Sequence, residues 1–273
     1  ASYNRLYQYL HLISNSNSPT PLDIWTPSGP FIEPQRVDQI ALGYFRNFKD
    51  NAVEMSIEGY YKSLDNQIDY VDGADLITNN NLETELLTSK GRSYGMELYV
   101  KKNKGKLTGW ISYTLSKAER QVQGLTAADP GINNGEYYPT NFDKRNDLSI
   151  TGIYNINGRW SLSSNFIYST GAPATYATGR YEFAGLVIPQ FENRNQNRLP
   201  DYHRLDISAT LKGKKKRWKN GGHEWVFGFY NVYNRFNANS IYFVENEDNR
   251  GESRAFKSSL FGITPSITYN FKF

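Results

Sequence analysis

The chain has 273 residues, of which 38% are apolar and 15% aromatic, with no cysteine and a formal net charge of +4. These values exclude a disordered tail, a disulfide framework and metal sites built on thiolates. Five of the 31 basic residues lie in one run over 214–219, so the positive balance is local and no nucleic-acid partner is predicted. No stretch approaches the roughly 20 apolar residues that a membrane-spanning helix needs.

Apolar and polar residues alternate with a period of two along the whole chain, and no window shows a convincing helical period. Residues 148–156 and 160–168 both follow this pattern and are joined by Asn157-Gly158, a strong hairpin signal. The sequence therefore predicts an all-β protein. With ends placed to within about 2–4 residues, the ten predicted strands are 2–13, 36–48, 53–70, 90–102, 106–119, 143–156, 159–171, 202–212, 223–236 and 257–273.

The predicted connections alternate between short and long. Short turns are expected near 49–51, 103–105 and 157–158, with a somewhat longer basic turn at 213–222. The long segments are 14–35, 71–89, 120–142, 172–201 and 237–256. Because consecutive antiparallel strands run in opposite directions, we expect all the short turns at one end of the sheet and all the long loops at the other.

Each predicted strand has one apolar register and one polar register. The charged residues fall on the polar register: Glu54, Glu58, Glu97, Lys101, Asp147, Arg204, Asp206 and Lys272. A charge at the midplane of a barrel's lipid-facing surface costs about 2–4 kcal/mol, whereas one facing the lumen is tolerated. The split between registers therefore favours a wall with lipid on one side, although a soluble sandwich also hides one face of each strand.

Strand length and aromatic placement favour a membrane barrel over a soluble sandwich. Strands of ten or more residues exceed the usual 5–6 of soluble sheets and match membrane strands. Aromatic residues mark both strand ends, as expected at the two headgroup levels. They are Phe48, Tyr154, Trp160, Trp225 and Phe271 near the short turns, and Tyr61, Tyr70, Tyr113, Tyr168 and Tyr233 near the long loops. We predict an antiparallel transmembrane β-barrel.

Several segments carry a family resemblance. Residues 265–273, with alternating aromatics and a terminal Phe273, resemble the closing strand of bacterial outer-membrane barrels. Residues 199–209 and 229–235 resemble the third-last and penultimate strands of TonB-dependent outer-membrane receptors, of the type abundant in Bacteroidota. Residues 81–101, which include Gly91-Arg92-Ser93-Tyr94-Gly95-Met96-Glu97, are similar to a mid-barrel hairpin of the same family.

The resemblance implies a location in the outer membrane of a Gram-negative bacterium and a role in energised nutrient import. Barrels of this family have 22 strands around a plugged lumen, so residues 1–273 are expected to be the C-terminal portion of such a barrel, with the plug absent from this sequence. The implied partners are outer-membrane lipid, the remaining barrel and plug, a TonB-type energising complex and, as an open question, a surface lipoprotein. By the same resemblance, Tyr269, Phe271 and Phe273 form the assembly signal.

No catalytic, cofactor or metal site is predicted. His11, His203 and His223 have no second ligand at metal-binding spacing. Asp201 and His203 lie two residues apart but have no partner serine in a nucleophile elbow. An acidic group in and after the third predicted strand misses the EF-hand spacing, and a solvated cluster is the expected state. That group comprises Asp65, Asp69, Asp72 and Asp75 around Gly73.

Aromatic residues in the long loops are the candidate ligand contacts, because binding residues concentrate on loops held by a rigid scaffold. They are Trp25, Tyr137, Tyr138, Tyr181 and Phe183, with Phe31, Tyr176 and Tyr242 as further exposed rings. Packing of these rings within the loops is the alternative. Two other classes of protein stay open at this point: a self-contained ten-stranded outer-membrane protease and a soluble β-sandwich adhesin.

Overall fold

The computed structural model describes residues 1–13, 24–74, 79, 81–126, 129–184, 186–213, 222–246 and 252–272. Ten strands follow one another in chain order in one antiparallel sheet, and a short segment, Tyr138–Pro139, pairs with the fifth. The ten are β1 Ser2–Gln8, β2 Gln35–Phe48, β3 Val53–Tyr70, β4 Leu86–Lys102, β5 Leu107–Gln121, β6 Asn146–Asn155, β7 Trp160–Ser169, β8 Tyr202–Lys212, β9 Gly222–Tyr230 and β10 Thr264–Lys272. The predicted all-β, antiparallel, ten-stranded architecture is confirmed.

Short turns and long connections lie at opposite ends of the sheet, as predicted. The turn between β2 and β3 contains three consecutive left-handed residues, Lys49, Asp50 and Asn51. The turn between β6 and β7 is closed by the Asn157 side chain, which accepts hydrogen bonds from the backbone N–H groups of Arg159 and Trp160, both at 2.9 Å. Asparagine and aspartate favour such turns because their side chains bond the nearby backbone and tolerate the left-handed conformation.

The long connections extend the sheet as smaller hairpins. Their paired strands are Leu10–Ile13 with Ile24–Pro27, Gln123–Thr126 with Asp129–Gly131, Pro173–Ala174 with Asn197–Arg198, Ala177–Phe183 with Leu186–Phe191, and Ser240–Glu245 with Ser253–Ser258. Two short 3-10 helices, Leu82–Glu85 and Ile132–Gly135, complete the loops. No helix in the described part of the chain is both long enough and apolar enough to cross a membrane.

Three strands predicted as continuous are interrupted in the structure. Strand 2–13 ends at Gln8, after which Leu10–Ile13 leaves the sheet. The first two residues of predicted strand 257–273 belong to the loop strand Ser253–Ser258, and the wall strand begins only at Thr264. Strand 223–236 ends at Tyr230, because Asn231 adopts a left-handed conformation and its amide bonds the backbone of Arg235. The alternation of apolar and polar residues continues through these breaks, so it does not predict them.

The apolar register forms one continuous face of the sheet. Residues directly opposite one another on adjacent strands share a face, and near the middle of the sheet many outward apolar residues have apolar cross-strand partners. Examples of such rows are Ile40, Tyr61 and Tyr94; Val100, Ile111, Ile150, Phe166 and Leu205; and Ala209, Phe227 and Ile267. The outer face is therefore apolar from β2 to β10.

This apolar face is uncovered. Ile40 and Ile267, at the two sides of the sheet, keep 62% and 69% of their surface exposed. A soluble sandwich would bury such side chains against a second sheet, so the uncovered face argues against the sandwich alternative. The one buried apolar cluster in the described residues, Val122, Ile132 and Tyr138, lies at the long-loop end of the wall, where Leu87 of β4 packs against it.

Aromatic residues lie at the strand ends as predicted, but not all of them are exposed. At the short-turn end, Phe48, Tyr154, Trp160, Trp225 and Phe271 are all exposed. At the long-loop end, Tyr61 and Tyr233 are exposed, whereas Tyr113 and Tyr168 are half-buried and donate to Asn146 and Asp201. Tyr70 is instead covered, because the Arg194 guanidinium lies 4.5 Å from its ring centre. Tyr70 therefore packs within the loops.

The sheet is open at both sides. Within the described residues, β1 pairs only with β2 and β10 pairs only with β9. Unpaired N–H and C=O groups at a sheet edge cost several kcal/mol each in hydrocarbon. The ten strands therefore form a segment of wall and not a closed barrel.

Candidate functional site

The inner face of the wall carries two carboxylates directly opposite each other. Glu58 on β3 pairs in register with Glu97 on β4, on the face opposite to the apolar rows. Among the described residues, no Lys, Arg or His forms an ion pair with either carboxylate. Like charges directly opposite on adjacent strands are destabilising. This pair therefore offers an inward site for a cationic group.

The inner face of β6 to β10 is different, because hydroxyl and amide groups cover it. Thr151 donates to Asn165 at 2.8 Å, and the hydroxyls of Ser163 and Ser208 lie 2.7 Å apart. These residues line a shallow depression of about 410 Å³. The small polar side chains satisfy one another across the strands, and the one charged residue of the lining, Asp206, pairs with Arg204 at 3.0 Å.

A charged hub lies at the long-loop end of the wall. The carboxylate of Asp69 is 96% buried and pairs with Arg194 at 2.6 Å and with Arg120 at 3.2 Å. The Tyr138 hydroxyl also donates to Asp69, and Arg194 pairs in addition with Asp72. Burial, followed by the negative charge of Asp69, raises the pKa of Tyr138 well above its ordinary value. Tyr138 therefore stays a proton donor to Asp69.

The hub joins parts of the chain that are far apart in sequence. Asp69 and Arg194 are separated by 125 positions. The neighbouring Asn133 and Arg194 exchange two further hydrogen bonds, from the Asn133 amide to the Arg194 carbonyl and from the Arg194 N–H to the Asn133 side chain. The connections 122–145 and 170–201 are thereby fixed to β3 and β5.

A second buried ion pair holds the same two connections. Asp143 is 99% buried, pairs with Arg198, and accepts a 2.7 Å hydrogen bond from the Ala118 N–H. Arg198 also donates to the carbonyl of Gly171 at 3.0 Å. Buried charges need such pairing, because an unpaired one costs several kcal/mol. The bases of both loops are thus held by paired charges.

The structure corrects one of the predicted ligand-contact aromatics. Tyr138 was expected to be exposed, but it is 97% buried because its hydroxyl bonds Asp69 and its ring packs in the loop cluster. Tyr137 is partly covered by Arg92, whose guanidinium lies 3.9 Å from its ring centre. Trp25, Tyr181 and Phe183 are exposed. They lie on two different hairpins, so the five predicted residues do not form one group.

His203 and Asp201, which lie two residues apart in the sequence, have separate hydrogen-bond partners in the structure. His203 Nδ1 lies 2.8 Å from the Tyr233 hydroxyl, whereas Asp201 accepts from the Tyr168 hydroxyl at 2.7 Å. No group of three His, Cys, Asp or Glu residues with metal-binding geometry occurs among the described residues.

The acidic group is solvated only in part. Asp65 pairs with Arg36, while Asp69 and Asp72 both pair with Arg194. Asp75 lies outside the described residues. The expectation of a solvated cluster is therefore wrong for Asp69, which is buried, and for the partly covered Asp65, whereas Asp72 stays exposed.

At the end of the chain, Tyr269 and Phe271 lie on the outer face of β10. Tyr269 packs against Trp225 on β9, with ring centres 4.6 Å apart. Phe273 lies outside the described residues. The assembly role of these three residues stays a prediction.

The family assignment follows from a comparison of the sequence. Residues 1–243 match the family described as TonB dependent receptor-like, beta-barrel. The chain belongs to this TonB-dependent receptor family. Its wall therefore lies in the outer membrane of a Gram-negative bacterium, with the apolar face in contact with lipid. The family match also favours a receptor over the ten-stranded protease and over any other enzyme.

The TonB-dependent receptor chain is similar in fold to three solved structures. The ferric-catecholate import receptor Fiu from E. coli K12 is 14% identical with a TM-score of 0.57, over 98% of this chain and 32% of Fiu. The ferripyoverdine receptor of Pseudomonas aeruginosa is 11% identical with a TM-score of 0.54, over 88% of this chain and 27% of the receptor. The ferric citrate transporter FecA is 15% identical with a TM-score of 0.53, over 87% of this chain and 31% of FecA. The chain thus spans about a third of the length of these proteins. No curated protein sequence matches it significantly.

Barrels of this class have short periplasmic turns and long extracellular loops. The charged hub and the loop hairpins therefore lie at the extracellular mouth, and the turns after β2, β4 and β6 lie at the periplasmic side. The alternation of the sequence does not predict the hub. The one signal in the sequence is that Asp69 and Arg120 lie at the ends of predicted strands, whereas Arg194 lies within the long segment 172–201.

Proposed function

We propose that this chain is the C-terminal part of a TonB-dependent transporter that imports a nutrient across the outer membrane. Ten strands account for under half of a 22-stranded barrel, and both sides of the sheet are open. The remaining strands and the plug would come from residues outside this sequence. A TonB-type complex acting on the plug would supply the energy for import.

The inward pair of Glu58 and Glu97 carries this proposal. Two carboxylates in register, without a cation among the described residues, are expected to hold a basic side chain brought from outside the wall. A plug that fills the lumen presents its surface to this face. The pair would then act as a releasable attachment of the plug to the wall.

The proposed assignment to the Bacteroidota type of receptor rests on sequence similarity. Segments 199–209 and 229–235 resemble Bacteroidota receptors, and we propose that the chain is of this type, with a surface lipoprotein as a further partner. The names of the three similar structures refer to ferric complexes. At 11–15% identity these structures support the fold and not the ligand. Trp25, Tyr181 and Phe183 remain the proposed ligand contacts, and Tyr269, Phe271 and Phe273 the proposed assembly signal.

The plug attachment can be tested in the full-length protein by limited proteolysis of the plug. The double variant E58Q/E97Q removes both charges, and we expect the plug to become markedly more sensitive to protease while the barrel stays folded. Glu54→Gln is the matched control, because Glu54 is also on the inner face but accepts a 2.6 Å hydrogen bond from Asn103 near the periplasmic turn. Equal plug protection in all three proteins would contradict the proposed attachment.

The transporter assignment is tested by the mass of the natural polypeptide and by its binding to the energising complex. We expect a polypeptide two to three times the 31.3 kDa of this chain, retained on a column of the periplasmic domain of the TonB-type protein. A natural chain of this mass that folds alone into a heat-modifiable barrel would reject the proposal.

A further inference from the structure

Two loop hairpins face each other across a cleft at the extracellular mouth. Hairpin A consists of Ala177–Phe183 and Leu186–Phe191 in the connection from β7 to β8. Hairpin B consists of Ser240–Glu245 and Ser253–Ser258 in the connection from β9 to β10. The cleft between them encloses about 500 Å³, within the range of roughly 300–1,000 Å³ that small-molecule sites occupy.

Strand register explains which side chains line the cleft. On hairpin A, Arg180 pairs with Pro189, so these residues share a face. On hairpin B, Phe243 pairs with Ala255, and both line the opposite side of the cleft. The walls are mainly apolar, with Val187 completing the side of hairpin A. An apolar ligand body would therefore find cover on two sides.

Arg180 is the one charged residue among the described lining residues. Its Nη1 atom donates to the Ser253 hydroxyl at 2.9 Å, across the cleft. In the described chain no carboxylate pairs with Arg180, whereas the other arginines of the same connection, Arg194 and Arg198, both pair with buried aspartates. A guanidinium has five donors. Arg180 thus retains an uncompensated charge and unused donors beside an apolar wall.

Tyr176 supports the wall of the cleft without lining it. Its ring packs edge-to-face on Phe243, with ring centres 5.6 Å apart, and its hydroxyl is buried. Aromatic pairs in this geometry contribute beyond the area that they bury, so the contact helps to hold Phe243 in place on the side of hairpin B.

The geometry points to a binding site for a small organic acid with an aromatic or branched apolar body, its carboxylate held by Arg180 and its body packed between hairpins A and B. The charge-assisted hydrogen bond selects an anion, and the apolar walls select against small inorganic anions, because these offer no apolar surface to bury. This proposal deepens the proposed transport function, since it places a ligand class at the outer mouth of the pore.

The test uses the full-length protein in amphipol and a defined probe, 6-fluoro-2-naphthoate, monitored by the width of its fluorine NMR signal. The uncharged 6-fluoro-2-naphthamide has the same body without the charge. We expect the carboxylate to bind at least about tenfold more tightly than the amide, because only the carboxylate forms the charged hydrogen bond. Arg180→Gln should remove this difference and leave amide binding unchanged.

Two further variants distinguish direct contact with the cleft from a general effect of positive charge on the hairpins. Lys257→Gln removes the same unit charge from hairpin B, but Lys257 does not line the cleft, so we expect a change below about twofold. Phe243→Ala should weaken both probes, because it removes a shared apolar wall. Heat-modifiable migration checks that each variant is folded.

Equal affinity of the two probes, unchanged carboxylate binding in Arg180→Gln, or no binding of either probe would overturn the proposed site. None of these outcomes affects retention on the column of the energising protein. Failure of the cleft as an acid-binding site is therefore distinguishable from failure of the transporter assignment.

Discussion

The wall and the extracellular mouth of this chain are stabilised in opposite ways. In the wall, apolar side chains face outward uncovered and polar groups face inward. In the mouth, the most buried groups are charged, with Asp69 and Asp143 enclosed by arginines. The wall thus depends on its lipid surroundings, whereas the mouth depends on contacts within the protein. Each can be disturbed without the other, which makes the contrast testable.

The largest effect is expected at the hub. Asp69→Asn removes the negative charge that neutralises Arg120 and Arg194, and leaving a buried charge unpaired costs about 3–5 kcal/mol. We expect fast hydrogen exchange over residues 132–140 and 190–198, with the heat-modifiable barrel retained. Asp72→Asn is the control, because Asp72 pairs with the same arginine but is 79% exposed, where pairs contribute little. Unfolding of the whole barrel by Asp69→Asn would contradict the independence of the two regions.

The wall should respond to charge on one face only. Ile150→Lys places a cation on the outer face near the middle of β6, at an expected cost of about 2–4 kcal/mol. Ser149→Lys places the same cation on the inner face, where it should cost much less. Urea unfolding of the full-length protein from lipid vesicles measures both. Equal destabilisation by the two substitutions would mean that the outer face is not in contact with lipid.

A smaller effect is expected from one hydroxyl of the hub. Tyr138→Phe deletes the donor to Asp69 and keeps the ring, which should cost about 1.5–3 kcal/mol, as for hydrogen bonds to charged groups. The loss should appear as faster exchange of connection 122–145. The adjacent Tyr137→Phe keeps the ring contact with Arg92 and should change little. Similar effects of both substitutions would argue against a special role for the Asp69 bond.

The smallest effect is expected from pH, at the first extracellular loop. His11 is buried, its Nδ1 accepts from the Gln35 amide at 3.0 Å, and its Nε2 lies 2.8 Å from the Ser28 hydroxyl. Gln67 donates to the side-chain oxygen of Gln35, which fixes the orientation of the Gln35 amide and leaves its nitrogen as the donor to His11. His11 therefore binds in its neutral form, and burial lowers the pKa of His11 below its ordinary value.

The lowered pKa of His11 determines the sign of the pH effect. A histidine with a lowered pKa in the folded state stabilises the loop above its ordinary pKa and loses this contribution as the pH falls below it. As the pH falls from about 7.5 to about 5, the protection of residues 10–13 and 24–28, measured as the ratio of intrinsic to observed exchange rate, should decrease by the equivalent of about 0.5–1.5 kcal/mol. His11→Gln should abolish the pH dependence. A loop more protected at low pH would reverse the inferred protonation state.

The same contrast explains what the sequence predicts. The alternation through Ile150 and its neighbours determines both the strand and its outward side, because a period of two is a local property. The hub could not be predicted, since Asp69 and Arg194 meet only through the packing of two loops on the wall. The same alternation predicts that the Glu58 and Glu97 side chains lie on the inner face. Their direct opposition depends on the register of β3 against β4, which composition does not specify.

The attachment of Arg194 has a mechanical consequence for the mouth. This residue fixes the descending limb of the connection 170–201 to β3, while Ala177–Phe183 and Leu186–Phe191 project beyond that point. A force on the projecting hairpin would therefore reach β3 at its base, through the bonds of Arg194 to Asp69 and to the carbonyl of Tyr70.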